Sequence, residues 1–242
     1  MPVLQERDRE AVRRRFETEL KHDVSIRMYT RSNVALYIPG RECQQCGTTQ
    51  ELLEEVSALS EHIELQVVDF YGDTEGARAL GVDRIPAVLI GPEGRDNVRY
   101  FGLPSGFEFS LLLDTIVAAS DKRSALQLET RRQLKALQED VHIKVFVTPT
   151  CQYCPAVGRL AHLMALESPM VTADVIEVQE FQDLARAYNV MSVPKTVIND
   201  RVQFVGAVTE EVMVERILQA AGAAEADEEQ AEQVSDQATI VR

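Results

Sequence analysis

The sequence contains no tryptophan and only four cysteines among its 242 residues. No apolar run approaches the roughly 20 residues that a membrane-spanning helix requires, and the first residues lack a hydrophobic signal core. These absences argue against a secreted scaffold held by many disulfides and against a membrane protein. They predict a cytoplasmic protein that does not act on membranes.

Basic residues are also scarce, since 25 Lys and Arg stand against 39 Asp and Glu and the net charge is −14. A nucleic-acid-binding surface needs clustered Lys and Arg to displace counterions from phosphates, so the charge argues against nucleic acid as a partner. Part of the charge is local, because residues 223–242 contain six acids and one Arg. We expect this segment to be an acidic disordered tail.

The four cysteines form two Cys-x-x-Cys motifs, Cys43–Cys46 and Cys151–Cys154, which lie 108 residues apart. Two dipeptides that end in proline keep the same offset, Ile85–Pro86 and Val193–Pro194. In each copy the proline follows the first cysteine of the motif by 43 residues. A constant offset across four landmarks predicts that the chain contains an internal duplication.

Each copy shows the same order of predicted elements: strand, Cys-x-x-Cys motif, helix, strand, helix, a strand that opens at the proline, a further strand and a closing helix. This order is typical of an α/β fold. It predicts two tandem domains, residues 1–120 and 121–222, each with a central mixed β-sheet flanked by helices. The first copy offers a second strand candidate at residues 34–38 beside the one at 24–29, so we expect an extra edge hairpin there.

The spacing of the cysteines suits disulfide exchange, in which a thiolate is the attacking species. A cysteine at the start of a helix has its pKa lowered by unpaired backbone N–H groups and the helix dipole, which predicts Cys43 and Cys151 as nucleophiles. The second cysteine of each motif faces the same side of the first helical turn, where it can attack the mixed disulfide and release the partner. Cys46 and Cys154 are therefore the predicted resolving thiols.

The two X-Pro bonds are candidates for cis peptides at the start of a strand. Beside a dithiol, such a bond leaves the backbone of the preceding residue, Ile85 or Val193, free to pair with an extended substrate segment. Pro86 and Pro194 also remove a hydrogen-bond donor next to the sulfurs. These four residues are the predicted substrate-binding residues, together with Tyr153, which either packs against the fold or shapes access to the second motif.

Two other interpretations of the cysteines compete with the redox site. Two Cys-x-x-Cys pairs can hold one zinc ion in tetrahedral geometry, and each pair can be a purely structural disulfide. Neither has any need of a proline at a constant distance, whereas a redox site that docks an extended substrate segment beside the proline does. We therefore predict a catalytic dithiol in each copy, no metal, and no cofactor beyond the redox-active disulfides themselves.

Three segments carry a family resemblance: residues 98–106 (VRYFGLPSG), 147–155 (VTPTCQYCP) and 189–195 (NVMSVPK). Residues 1–222 resemble the glutaredoxin-like protein disulfide oxidoreductases of thermophilic archaea and bacteria, which contain two tandem thioredoxin folds. The resemblance implies cytosolic reduction, oxidation or isomerisation of disulfides in protein substrates. It also implies a thioredoxin reductase-type flavoprotein as electron donor.

The chain is similar as well to the N-terminal domain of the flavoprotein component of alkyl hydroperoxide reductase, in which the same duplication keeps one dithiol. That similarity implies an alternative function, an electron relay from a flavoprotein reductase to a peroxiredoxin partner. Both dithiols are present in this sequence, which favours the resemblance to the protein disulfide oxidoreductases.

The sequence departs from the family pattern in two places. The first motif lacks the aromatic residue and the following proline of the second, so we expect the second motif to be the principal site. Thioredoxins carry a buried Asp six residues before the first cysteine, but those positions are Tyr37 and Val145 here. The sequence therefore leaves the proton-transfer group unassigned.

Overall fold

In the computed structural model of the chain, residues 3–32 and 42–222 are described. The helices are α1 (Glu6–Glu19), α2 (Cys46–Ser57), α3 (Thr74–Ala79), α4 (Glu108–Ser120), α5 (Leu128–Lys135), α6 (Cys154–Glu167), α7 (Gln182–Ala187) and α8 (210–222). The strands are β1 (Val24–Thr30), β2 (Ile63–Asp69), β3 (Ala87–Gly91), β4 (Val98–Phe101), β5 (Val141–Val147), β6 (Val171–Glu177), β7 (Lys195–Ile198) and β8 (Val202–Val205). The second strand of the expected edge hairpin and the acidic tail lie outside the described residues.

The two copies share one continuous sheet of eight strands, in the order β2-β1-β3-β4-β6-β5-β7-β8. The predicted α/β fold with two thioredoxin-like halves is confirmed, but the two expected central sheets are joined, because β4 and β6 pair in parallel from Val98↔Ala173 to Phe101↔Ile176. Both strands are buried almost throughout, so neither could remain an exposed edge. The division into domains at residue 120, where α4 ends, stays a prediction.

Helices cover both faces of this sheet. On one face, α1, α2, α4, α5, α6 and α8 enclose a single apolar core that runs through both halves and includes Leu53, Leu111 and Met164. The short helices α3 and α7 cover the other face, where Phe146 and Ile176 belong to a smaller core. None of the helices in the described part of the chain is long and apolar enough to cross a membrane.

The strand directions bring the sequence landmarks to one edge of the sheet. The pairing pattern makes β1, β4, β5 and β6 run in one direction, whereas β3 and β7 run in the other. The C-terminal ends of β1 and β5, which lead into the two cysteine motifs, therefore lie at the same edge as the beginnings of β3 and β7, which follow the two prolines.

A buried ion pair ties the two halves together. The Arg99 guanidinium on β4 donates to Asp174 on β6 over 2.5 Å, and both side chains are 7% exposed. Arg99 also donates to the Leu80 carbonyl, and His142 Nε2 lies 2.6 Å from the second Asp174 oxygen. Although burial opposes ionisation, the contacts with His142 and Arg99 hold the pKa of Asp174 below its ordinary value. The junction therefore contains a charged carboxylate that depends on its partners.

Replacing Arg99 with leucine should lower the free energy of unfolding by about 3–5 kcal/mol, because it leaves the Asp174 carboxylate buried without its cation. Urea unfolding followed by circular dichroism measures this loss. The matched control is Arg132→Leu, whose ion pair with Glu129 has both side chains about two-thirds exposed; it should change stability by about 0–1 kcal/mol. Equal effects of the two substitutions would contradict this role of Arg99.

Candidate redox site

The second motif contains one accessible and one hidden cysteine, joined by a disulfide with Cα atoms 5.4 Å apart. Helix α6 begins at Cys154 and not at Cys151, so the helix start predicted from the sequence is three residues too early. Cys151 lies in the preceding turn, where its carbonyl accepts from the Cys154 N–H over 3.4 Å. Because Cys154 is fully buried and Cys151 only half-buried, a partner reaches Cys151 first.

The first motif has the same arrangement. Cys43 and Cys46 form a disulfide with Cα atoms 5.5 Å apart, and α2 likewise begins at the second cysteine, which is 4% exposed. Gly47, Thr48 and Thr49, which follow Cys46, are poor helix formers, yet all three lie within α2 and Thr49 is buried there. Tertiary packing therefore overrides the weak local helix propensity of this segment.

Both predicted X-Pro bonds, Ile85–Pro86 and Val193–Pro194, are cis peptides. Each proline is buried and each preceding residue is half-buried. Among the described residues, no hydrogen bond outside the helices and strands uses the backbone of Ile85 or Val193. The pairing of β5 with β7 brings Lys195 opposite Phe146, which places Val193 beside the strand end that leads to Cys151.

Apolar side chains are exposed around the second motif. Tyr153, between its cysteines, is 61% exposed, so it does not act as a core residue. Phe107 is 51% exposed, and its N–H donates to the carbonyl of Pro149, just before the motif, over 3.0 Å. Met191, two residues before Val193, is 86% exposed. Phe107, Tyr153 and Met191 form what we call the apolar collar of the second motif.

The two dithiols are far from one another. Strands β1 and β5 are four positions apart in the sheet, which at roughly 4.8 Å per strand gives about 19 Å between the strand ends that precede the two motifs. One zinc ion cannot bind all four sulfurs across that distance, since Zn–S bonds are about 2.3 Å long. No group of three or more His, Cys, Asp and Glu among residues 3–32 and 42–222 could hold a metal ion.

A buried carboxyl group that the sequence analysis missed lies at the second motif. Helices α4 and α6 run side by side in the same direction, because the start of α4 is bonded to Pro149 and a side chain at Gly158 would collide with Leu111. Glu108 precedes Leu111 by one turn and Cys154 precedes Gly158 by one turn. Glu108 therefore lies level with the resolving cysteine.

Glu108 is fully buried, and neither of its oxygens has a hydrogen-bond partner among the described residues. Burial, and then repulsion from Glu177, raise the pKa of Glu108 to about 8. The sequence did contain a signal for it, because Glu108 heads the buried stripe of α4 that continues with Leu112 and Thr115. An acid at a core position of an apolar helix is unusual enough to indicate a function.

A groove lies beside the first motif and is built from both halves of the chain. It has a volume of about 930 Å³, and its lining includes Cys43 and Ile85 from the first half and Glu180 and Phe181 from the second. Pro149, two residues before Cys151, lines it as well. We call this space the interhalf groove.

The thioredoxin domain family matches residues 141–219 of the chain. Among curated proteins, the F subunit of alkyl hydroperoxide reductase from Pseudomonas putida is 28% identical over 187 residues, which cover 77% of this chain and 34% of that protein. Its counterpart from Xanthomonas campestris pv. phaseoli is 29% identical over 168 residues, which cover 69% of this chain and 30% of that protein. The chain thus spans about a third of the length of these curated relatives.

Solved structures resemble the chain over most of its length. A protein disulfide oxidoreductase from Aeropyrum pernix K1 has 29% identity and a TM-score of 0.81, over 90% of this chain and 94% of that one. The NTD_N/C domain of alkyl hydroperoxide reductase from Enterococcus faecalis has 21% identity and a TM-score of 0.78, over 88% of this chain and 99% of that one. The second likeness supports the fold alone.

Proposed function

We propose that this chain, which belongs to the tandem thioredoxin-like oxidoreductases, exchanges disulfides with protein substrates through both of its dithiols. The observation that carries the proposal is the repeated arrangement at one sheet edge: an accessible cysteine, a buried cysteine and an X-Pro strand start in each half. The chain's own redox carriers are then the two dithiols. Reduction of insulin and refolding of scrambled ribonuclease both test this activity.

In the reducing direction, the Cys151 thiolate attacks one sulfur of a substrate disulfide, and the substrate S–S bond breaks. One substrate thiolate leaves and takes up a proton, and a mixed disulfide joins Cys151 to the other substrate sulfur. The Cys154 thiol then loses its proton and attacks the Cys151 sulfur, which releases the second substrate thiolate. Two electrons pass from the dithiol to the substrate, and the reverse sequence oxidises a substrate dithiol.

The residues beside the cysteines bind the substrate. An extended polypeptide segment can pair its backbone with Val193 at the second motif or with Ile85 at the first, because neither backbone forms a hydrogen bond outside the helices and strands among residues 3–32 and 42–222. Pro194 and Pro86 fix these strand starts, and Tyr153 contacts the partner from its exposed position. Backbone pairing of this kind accepts many sequences.

We assign Glu108 as the group that takes the proton from Cys154. A carboxyl group with a pKa of about 8 matches a thiol, whose ordinary pKa is about 8.5, so the proton can move in either direction near neutral pH. Water has little access to the fully buried Cys154, which makes an internal proton acceptor necessary. Glu108 thereby replaces the Asp that is absent at Val145.

We infer that the protein acts in a reducing compartment, the cytoplasm, because each cysteine of the chain belongs to an exchange motif and none forms a purely structural disulfide. A dithiol that turns over there needs an electron donor. A flavoprotein reductase of the thioredoxin reductase type is the donor class that we propose.

The alternative function is an electron relay to a peroxiredoxin, and the names of the curated relatives, which are components of alkyl hydroperoxide reductase, favour it. In this function the dithiols serve one dedicated partner instead of many substrates. Turnover with a peroxiredoxin and a hydroperoxide, compared with turnover on insulin, distinguishes the two functions.

Electrons should not pass directly between the two dithiols of one molecule, since exchange requires contact between sulfurs and the strand ends that precede the motifs lie about 19 Å apart in one sheet. We expect chains reduced at one dithiol to equilibrate with their second dithiol at a rate proportional to protein concentration. Rapid alkylation and mass spectrometry at several dilutions measure this rate. A rate that is independent of concentration would show that the halves move far enough to meet.

A further inference from the structure

We infer that the interhalf groove selects, for the first dithiol, polypeptide substrates that carry lysine or arginine next to the reacting cysteine. The inference rests on the proposed exchange function and adds the substrate class of one of its two sites. Its grounds are the shape of the groove, its charge and the contrast with the second motif.

The size of the groove suits a polypeptide segment. Its volume of about 930 Å³ lies at the upper end of the range for small-molecule sites, roughly 300–1,000 Å³. Its wall begins at Cys43 and Gln44, passes Ile85, and continues to Leu103 and Pro149 near the other half. A chain paired with the Ile85 backbone would therefore extend over the second half of the protein.

Carboxylates outnumber cations along this wall. Among the described residues, the lining contains five acids and two arginines: Glu42, Asp83, Glu177, Glu180 and Asp183 against Arg84 and Arg186. Arg84 donates to both oxygens of Asp83, over 2.8 and 2.9 Å, so this pair largely cancels its own charge. Along the rest of the wall, Glu177, Glu180 and Asp183 outnumber Arg186, which favours a basic segment.

Two of these carboxylates are held in place by backbone donors. Glu177 accepts from the N–H groups of Gln179 and Glu180, and Glu180 accepts from the Leu103 N–H over 2.6 Å. Burial, followed by the charge of Glu177, raises the pKa of Glu180 to about 7 against the opposing effect of the Leu103 N–H. A lysine or arginine side chain would find these oxygens already ordered, and its charge would favour their ionised form.

The surroundings of the second motif are different. Phe107, Tyr153 and Met191 form the exposed apolar collar there, so a substrate meets apolar side chains at the second dithiol. It provides a control within the same protein, because the chemistry of exchange is the same at both sites.

The test uses two full-length variants, Cys151→Ser/Cys154→Ser, which keeps the first dithiol, and Cys43→Ser/Cys46→Ser, which keeps the second. Each oxidised variant is mixed with single-cysteine peptides of equal length that carry Lys or Glu on both sides of the cysteine. The peptide thiolate attacks the outer cysteine, the protein S–S bond breaks, and the inner thiolate leaves and takes up a proton. Rapid alkylation and mass spectrometry give the rate.

The measured quantity is the ratio of the Lys-peptide rate to the Glu-peptide rate. Dividing the ratio at the first dithiol by the ratio at the second cancels the intrinsic reactivity of each peptide thiol. We expect this quotient to be about tenfold or more at low ionic strength and to shrink in high salt. Glu180→Gln/Asp183→Asn should bring it near one, whereas Glu215→Gln, an exposed change on α8 away from the groove, should leave it unchanged.

Equal ratios at the two dithiols would overturn the inference, as would a preference that survives Glu180→Gln/Asp183→Asn. Faster reaction of the first dithiol with glutathione than with the Lys peptide would also overturn it, because glutathione is small and acidic. No exchange with any peptide at either dithiol would instead mean that the proposed function itself is wrong.

Discussion

Insulin reduction by the Cys43→Ser/Cys151→Ser variant should fall to the uncatalysed background, a loss of roughly a thousandfold or more. The thiolate is the nucleophile in disulfide exchange, and a serine hydroxyl does not ionise near neutral pH. The buried partners Cys46 and Cys154 cannot substitute, since they are 4% and 0% exposed. A turbidity assay with a chemical reductant measures the loss.

Variants with a single substitution show how much of the activity each dithiol contributes. We expect Cys151→Ser to remove the larger part of the activity, because the second motif has the residue pattern of the family and the Glu108 carboxyl level with its resolving cysteine. Cys154→Ser should trap a covalent mixed disulfide at Cys151, which non-reducing electrophoresis detects. Full activity in the Cys43→Ser/Cys151→Ser variant would rule out the proposed function.

Replacing Glu108 with glutamine should slow the resolving step at the second dithiol by about a hundredfold at pH 7, the scale of a lost general base. Glutamine has nearly the shape of glutamic acid but cannot accept the Cys154 proton. The measurement is single-turnover reduction of a fluorescent disulfide peptide by protein that lacks the first dithiol. Glu129→Gln, an exposed change on α5, is the matched control.

The pH profile separates proton transfer from a structural role of Glu108. The rate of the wild-type resolving step should rise with pH and level off near pH 8, where Glu108 ionises, and the glutamine variant should lack this inflection. Because the native pKa is raised above the unfolded value, the native state binds more protons between pH 4.5 and about 8, and the fold loses stability as pH rises through this window. Glu108→Gln removes that loss of stability, so the variant should melt no lower than wild type at pH 8. Identical pH–rate profiles of the wild type and the glutamine variant would refute the assignment of Glu108 as proton acceptor.

Much of the candidate site could be predicted from the sequence because its parts are local and repeated. A Cys-x-x-Cys spacing brings two sulfurs together within a single turn, and an X-Pro dipeptide at a strand start behaves alike in each copy. The predicted helix starts, at Cys43 and Cys151, are three residues too early, since the outer cysteine of each pair precedes its helix, and Cys151 lies in a turn that hydrogen bonds to α6 without joining it. Periodicity alone does not distinguish such a turn from the helix.

Glu108 could not be assigned to a function from the sequence because its role depends on a neighbour 46 residues away. Only the packing of α4 along α6 brings it level with Cys154 and excludes water from both. The carboxyl group in this chain comes from the first copy and serves the dithiol of the second, so the pattern within one repeat does not reveal it.

The sequence by itself determined the duplication, the α/β class, the identity of the four cysteines and the two X-Pro strand starts, because these depend on spacing within a short stretch of chain. The tertiary structure decided that the two copies share one sheet, that the strand ends before their dithiols lie about 19 Å apart at one edge, and that an acidic groove and a buried carboxyl group each arise between the halves. These features come from the parallel pairing of β4 with β6, which joins residues 75 positions apart in the chain and whose partner choice local patterns do not encode.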